Sequence, residues 1–224
     1  CTFCFEGSVD RGLSYHSVAR GIEEVKYLKK EYGIKYITFV DDTFTTNPKR
    51  VYEFCHEFIK NFLPFKDFTW FCEARANEIC ANPKMFSKMV DAGLVRVQFG
   101  AESGNQEVLD MYNKKISVKQ ITEAVDILFN TNILSIFANF IIGGPLETRE
   151  TFDKTLMMVE DLIIRAPGVF ECNSSFLSPY LGTDIRKNFN KYKIRLVDQD
   201  FKTASSDSYV FACPEGLTKN DLLK

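Results

Sequence analysis

The chain has 224 residues, enough for one large domain with its own core or two small ones. Its net charge is −2 with both signs intermixed, so nothing argues for a nucleic-acid or anionic-membrane partner. No apolar run approaches the roughly 20 residues of a membrane span, no signal peptide is visible, and seven scattered cysteines do not make a secreted disulfide framework. Reducing, cytoplasmic surroundings follow. Cys55, Cys72 and Cys172 lie inside regular apolar patterns and read as buried thiols.

After the opening Cys1-Thr2-Phe3-Cys4, residues 15–32 read as a helix, with Val18, Ile22 and Val25 at helical spacing and Gly33 as the stop. A short strand spans residues 36–40 and ends at Asp41-Asp42. Asn47-Pro48 opens a second helix bearing Val51, Phe54, Cys55, Phe58, Ile59 and Phe62. Residues 68–72 form a strand, Asn82-Pro83 opens a helix stopped by Gly93, and residues 95–99 form a strand running into Gly100-Ala101-Glu102-Ser103-Gly104. A short helix covers residues 106–112, and Ser117-Val118-Lys119-Gln120 is a capping box for the next. Residues 135–142 are a strand ending in Gly143-Gly144-Pro145. Thr148 begins a further helix, and residues 169–176 are the last clear strand. Beyond Asp184 the pattern weakens to a helix end at residues 189–193, a strand at 209–211 and a helix start at 217–224.

Strands alternating with helices require parallel pairing and right-handed crossovers. An eight-stranded barrel usually needs about 250 residues, and no Gly-rich phosphate turn follows the first strand, as a nucleotide-binding open sheet would have. Alternation places Arg96, Gln98 and Glu102 on one face, with Ser135 and Asn139 on one parity of the next strand and Glu171, Asn173 and Ser175 on one parity of the last. Such a polar row suits an incompletely closed, wet interior; in the alternative these side chains satisfy one another in a packed core.

Cys1 and Cys4 admit several readings. A zinc ribbon lacks its second pair, a redox dithiol wants a helix start after a strand, and a cluster needs further thiolates. The spacing resembles the last two cysteines of the CxxxCxxC motif of the radical S-adenosylmethionine (SAM) superfamily, including the aromatic before the final cysteine. Further landmarks of that superfamily are resembled, in order and at strand ends, by Phe39-Val40-Asp41-Asp42-Thr43-Phe44, Arg75, Phe99 to Gly104, Ile142-Gly143-Gly144-Pro145-Leu146-Glu147-Thr148 and Pro179-Tyr180-Leu181-Gly182-Thr183. The branch most resembled includes cobalamin-binding enzymes, anaerobic Mg-protoporphyrin ester cyclases and methylthiotransferases.

The resemblance implies a partial (β/α)6 barrel over residues 1–185, with a first strand preceding Cys1 and residues 186–224 as a C-terminal extension. It implies a [4Fe–4S] cluster at Cys1, Cys4 and a third cysteine outside the chain, so that the chain as given is expected to be inactive. Reductive cleavage of SAM would give methionine and a 5′-deoxyadenosyl radical, with flavodoxin or ferredoxin as electron donor. Cobalamin would enter through an upstream domain. By matching position, Glu102 takes the ribose hydroxyls, and Gly100, Ser103 and Gly104 bring backbone close to the ligand. Gly143, Gly144 and Pro145 pack against adenine, Asp41 or Asp42 holds the methionyl amino group, and Arg75 pairs with the methionyl carboxylate. Judged without the resemblance, Glu102 equally suits an ion pair with Arg75 or Arg96, Arg75 a pair with Glu73, the aspartates a strand end, and Gly143-Gly144-Pro145 a plain turn. His16 and His56, in predicted helices, read as surface or packing residues. The competing functions are a non-redox barrel enzyme or ligand-binding domain without a cluster, and a Cys1/Cys4 dithiol module.

Overall fold

The computed structural model describes residues 1–5, 12, 14–62, 68–197 and 209–223. The first helix, α1 (Val18–Tyr32), starts at Ser17, whose hydroxyl accepts the Arg20 amide, and stops at Gly33, where φ is +63°. Then come β1 (Tyr36–Thr38), a 3-10 turn (Phe44–Thr46), α2 (Pro48–Phe62) and β2 (Thr69–Ala74). Two helices follow instead of the one expected: α3 (Ala76–Ala81) and α4 (Pro83–Asp91). Six residues of mixed character gave α3 no legible period. Next are β3 (Leu94–Glu102), α5 (Gln106–Met111), α6 (Val118–Phe129), β4 (Ser135–Ile142), α7 (Arg149–Arg165) and β5 (Phe170–Phe176). Capping boxes at Ser117 and Thr148 start α6 and α7 where the sequence places them.

Strands β1 to β5 pair in sequence order, all parallel. Burial alternates along the central strands: Trp70, Cys72 and Ala74, then Val97, Phe99 and Ala101, then Ile136, Ala138 and Phe140 are buried, while their neighbours, Glu102 apart, are half-exposed. One face is therefore covered by helices and the other is not, the arrangement of a partial barrel rather than of a doubly wound sheet. The covered face carries an aromatic core in which Phe39, Phe44, Phe54 and Phe58 surround Trp70, whose indole N–H donates to the Ala92 carbonyl at 2.8 Å.

The last strand corrects one expectation. Cys172 is exposed, as are Glu171, Asn173 and Ser174, because β5 is an edge strand with little packed over either face. Cys55 and Cys72 are buried as expected. Cys80 lies in α3 and points its thiol at the Gln120 carbonyl.

The C-terminal stretch contains α8 (Asp184–Lys187), α9 (Phe189–Tyr192), β6 (Ile194–Leu196), β7 (Ala212–Pro214) and α10 (Lys219–Leu222). The strand expected at 209–211 begins at Ala212 and pairs antiparallel with β6; Lys224, in the expected last helix, lies outside the described residues. Tyr192, Ile194 and Ala212 share a second apolar core with Val108, Tyr112, Leu177 and Ile185, and Phe3 packs against it. Residues on both sides of position 185 thus build one core.

Candidate active site

Parallel pairing carries the C-terminal ends of all five strands to one edge of the sheet, and the opening cysteines are tied to the same edge. The Thr2 amide donates to the Tyr112 carbonyl at 2.9 Å, its hydroxyl donates to the Met111 carbonyl at 3.1 Å, and its own carbonyl accepts the Ile185 amide at 3.0 Å. Phe3 meets Tyr112 edge-on with ring centroids 5.0 Å apart. Cys1 and Cys4 are half-buried on either side of this anchor, with free thiols and no helix start at the pair. The Lys114 ammonium lies over the Phe3 ring, 5.9 Å from its centroid, which puts a cation beside this segment.

At the end of β3 the register shifts between Gly100 and Glu102, and Glu102 takes a left-handed backbone with φ +63°. That conformation is unfavourable for a residue with a side chain, and strain of this kind clusters at functional sites. It turns the Glu102 carboxylate onto the Lys114 ammonium at 2.5 Å, both side chains being nearly excluded from solvent. Lys114 thus takes the place of the two arginines considered as partners. Gly100 leaves room for this pair, since a Cβ there would lie 2.5 Å from the Lys114 nitrogen and press on the Glu102 carboxylate, moving one of the two side-chain ends. Arg96 pairs instead with Glu171 at 3.6 Å. Arg75 donates to the Lys114 carbonyl at 3.0 Å rather than pairing with Glu73. Burial first, then the Asp42 charge, raises the Glu73 carboxyl above its usual range, with Lys114 opposing. Asp41 and Asp42 both lie exposed in the loop beyond the end of β1.

The turn after β4 is buried. Gly143 has φ +79°, and its amide donates to the Glu147 carboxylate at 2.7 Å. Burial pushes that carboxyl up to about 7, opposed by the same hydrogen bond. Gly144 is fixed by sterics, because its missing side chain leaves the space filled by the Tyr112 hydroxyl. Pro145 is buried in the same turn. On the helix side, Ile142, Glu147, Phe152, Leu156 and Leu222 line a cavity of about 420 Å³.

Two residues expected at the ligand face elsewhere. The Ser103 hydroxyl accepts the Asn105 amide at 3.1 Å and contacts the Thr155 hydroxyl at 3.3 Å, anchoring α5 to α7. Gly104 does allow a close approach, but to α7: a Cβ would lie 2.6 Å from the Lys154 carbonyl oxygen and 2.7 Å from the Thr155 Cα. The inward polar row is mixed. Arg96 and Ser135 both reach Glu171, whereas among the described residues the Gln98, Asn139 and Asn173 side chains make no hydrogen bond. His16 and His56 are exposed and remote in role, His56 meeting only Glu57.

A [4Fe–4S] cluster fits the cysteine segment in part. Cys1 and Cys4 offer two free thiols on an anchored backbone near the Lys114 ammonium, but among the described residues no three Cys, His, Asp or Glu side chains converge to complete a metal site. Lys114, Tyr112 and Glu73 escaped assignment to the site from sequence. Lys114 sits in a short charged loop flanked by Asn113 and Lys115, both at positive φ, which reads as a solvated turn.

The described helices include none long and apolar enough to cross a membrane. The sequence profile of the Radical SAM superfamily matches residues 1–159. An uncharacterized methyltransferase of Pyrococcus horikoshii is 35% identical over 185 residues, which are 82% of this chain and 38% of that protein. The anaerobic magnesium-protoporphyrin IX monomethyl ester cyclase of Cereibacter sphaeroides is 30% identical over 161 residues, which are 72% of this chain and 26% of the cyclase. The chain thus spans well under half the length of either relative. Among solved structures, the cobalamin-dependent SAM radical enzyme OxsB superimposes with a TM-score of 0.73 at 16% identity, over 96% of this chain and 37% of OxsB. The radical SAM methyltransferase TsrM of Kitasatospora setae gives 0.70 at 15% identity, over 92% of this chain and 40% of TsrM. These likenesses carry the partial-barrel fold, and with the family match over most of the chain they lead to one statement: the chain belongs to the radical SAM superfamily.

Proposed function

We propose that this domain holds SAM at the strand ends beside a [4Fe–4S] cluster bound through Cys1 and Cys4, and directs radical chemistry on a substrate. When bound, a cluster would supply one-electron reductive cleavage of SAM to methionine and a 5′-deoxyadenosyl radical able to take a hydrogen atom from the substrate, the electron coming from a flavodoxin- or ferredoxin-type donor in a reducing cytoplasm. The observation that carries the reading is the meeting, at one sheet edge, of the anchored cysteines, the strained Glu102 with Lys114, and the buried Gly143–Glu147 turn.

Each residue has a task in this reading. Glu102 exchanges its Lys114 contact for the ribose hydroxyls, and Arg75 with the released Lys114 ammonium faces the methionyl carboxylate. Asp41 or Asp42 accepts from the methionyl amino group. Gly143, Gly144 and Pro145 keep the adenine side free of bulky side chains. Cobalamin, named for OxsB and TsrM, enters as a second cofactor held outside residues 1–224, and the methyltransferase and cyclase names of the relatives make methyl transfer or ring closure the outcomes to assay first.

The test is SAM binding to the anaerobically reconstituted full-length protein, wild type against Glu102→Ala. The expected result is lost SAM affinity with iron content unchanged. Unchanged affinity would remove Glu102 from the site, and loss of folding would make it structural.

A further inference from the structure

Tyr112, the residue that closes α5, touches two parts of the site that lie far apart in sequence. Its backbone carbonyl accepts the Thr2 amide at 2.9 Å, and its ring packs edge-on against Phe3. The far end of the same side chain reaches the turn after β4. There the hydroxyl occupies the space of an absent Gly144 side chain, whose Cβ would also lie 2.6 Å from the ring carbon Cζ. The residue is fully buried, and among the described residues its hydroxyl has no hydrogen-bond partner, although the Glu147 and Glu102 charges both act on it. Packing alone would favour phenylalanine here, because a buried hydroxyl left unpaired is destabilising. What the hydroxyl adds is length: it lets one rigid ring span from the cysteine segment to the glycine turn.

The geometry points to Tyr112 as a positioning residue that fixes the separation between the Cys1–Cys4 segment and the Gly143–Gly144–Pro145 turn. Taken with the cofactor reading above, on which this role in the reaction rests, it holds the cluster side and the adenine side of the site in register. A close-packed interior transmits such a contact without slack, and the glycine at 144 and the tyrosine at 112 are complementary in shape. Tyr112 touches neither reacting atom and acts through the two segments it braces.

The experiment compares wild type, Tyr112→Phe and Gly144→Ala in the full-length protein, by amide hydrogen exchange and, after reconstitution, by SAM cleavage. Tyr112→Phe is expected to keep or raise the thermal midpoint and to keep the iron content, while exchange accelerates both at residues 143–145 and at Thr2–Cys4. Its kcat for SAM cleavage is expected to fall on the order of 100-fold with little change in SAM affinity, the cost of roughly an ångström of misplacement. Gly144→Ala, pressing on the ring from the other side, is expected to accelerate exchange at Thr2–Cys4 as well. Exchange at Thr2–Cys4 that stays at the wild-type rate in both variants would overturn the bracing role, and an unchanged kcat in Tyr112→Phe would overturn its part in the reaction. A wild type that binds SAM at no cluster loading would defeat the cofactor reading instead, with the exchange result still deciding whether Tyr112 couples the segments.

Discussion

The Lys114 ammonium stands 2.5 Å from the Glu102 carboxylate, with the two side chains only 13% and 7% exposed. A ligand hydroxyl that reaches Glu102 must compete with a charge-assisted hydrogen bond already in place. The pair joins the end of β3 to the loop after α5, and through the Arg75 contact to the Lys114 carbonyl it joins the end of β2 as well.

Removing one partner of such a buried pair leaves the other charge uncompensated. Lys114→Met is therefore expected to cost about 3–5 kcal/mol in urea unfolding. Lys114→Met combined with Glu102→Gln should recover most of that loss, because no unpaired charge remains. A single variant as stable as wild type would mean that the pair contributes nothing to the fold.

Glu147 gives the site a pH dependence. Its carboxyl is raised from the usual 4.5 to about 7 by burial, so the folded protein holds this proton more tightly than the unfolded chain does. The stability it contributes is present in full below about pH 4.5 and is lost as pH rises through about 7, on the order of 3 kcal/mol across the window. Glu147→Gln keeps an oxygen for the Gly143 amide and should remove that slope, leaving the variant more stable than wild type near pH 8. Urea unfolding at a series of pH values checks this; parallel profiles for the two proteins would contradict it.

Gly104→Ala separates packing from ligand contact. The added methyl would meet the α7 backbone at 2.6 and 2.7 Å, where no flexible side chain can yield. A loss of roughly 1–3 kcal/mol in stability is expected, the usual cost of overpacking, with SAM affinity of the folded fraction retained. Normal stability with lost affinity would return Gly104 to the ligand.

The exposed thiol of Cys172 should label with a maleimide in the native state well before Cys55 and Cys72, which should react only on unfolding. Peptide mapping after a short pulse distinguishes them. Early labelling of Cys72 would contradict the placement of the helices over β2.

Much of the frame was legible because its signals are local. Asn82-Pro83, the capping boxes at Ser117 and Thr148, and Gly33 each mark a boundary through their own backbone chemistry, and period-two burial along β2, β3 and β4 follows from the pleat. The exposure of Cys172 was not legible, since alternation tells which residues share a face but not whether another element covers it. Glu102 was readable as a strand-end acid, yet its strained φ and its partner Lys114, 12 residues on, depend on how a loop folds back. The bracing by Tyr112 was further out of reach: Thr2 and Gly144 meet it only in three dimensions. Nor are the aspartates told apart by the fold, since Asp41 and Asp42 both lie exposed in the loop beyond β1.

The central claim is that Cys1 and Cys4 hold a cluster that works on SAM bound at these strand ends. Its most direct test is anaerobic reconstitution of the full-length protein, wild type and Cys4→Ala, with iron and sulfide counted and methionine and 5′-deoxyadenosine measured after reduction. About four irons and four sulfides for the cluster of this domain, with both products formed by wild type and lost with the cluster in Cys4→Ala, is the predicted result. A wild type without iron and without either product, or a Cys4→Ala protein that retains both cluster and cleavage, would contradict it.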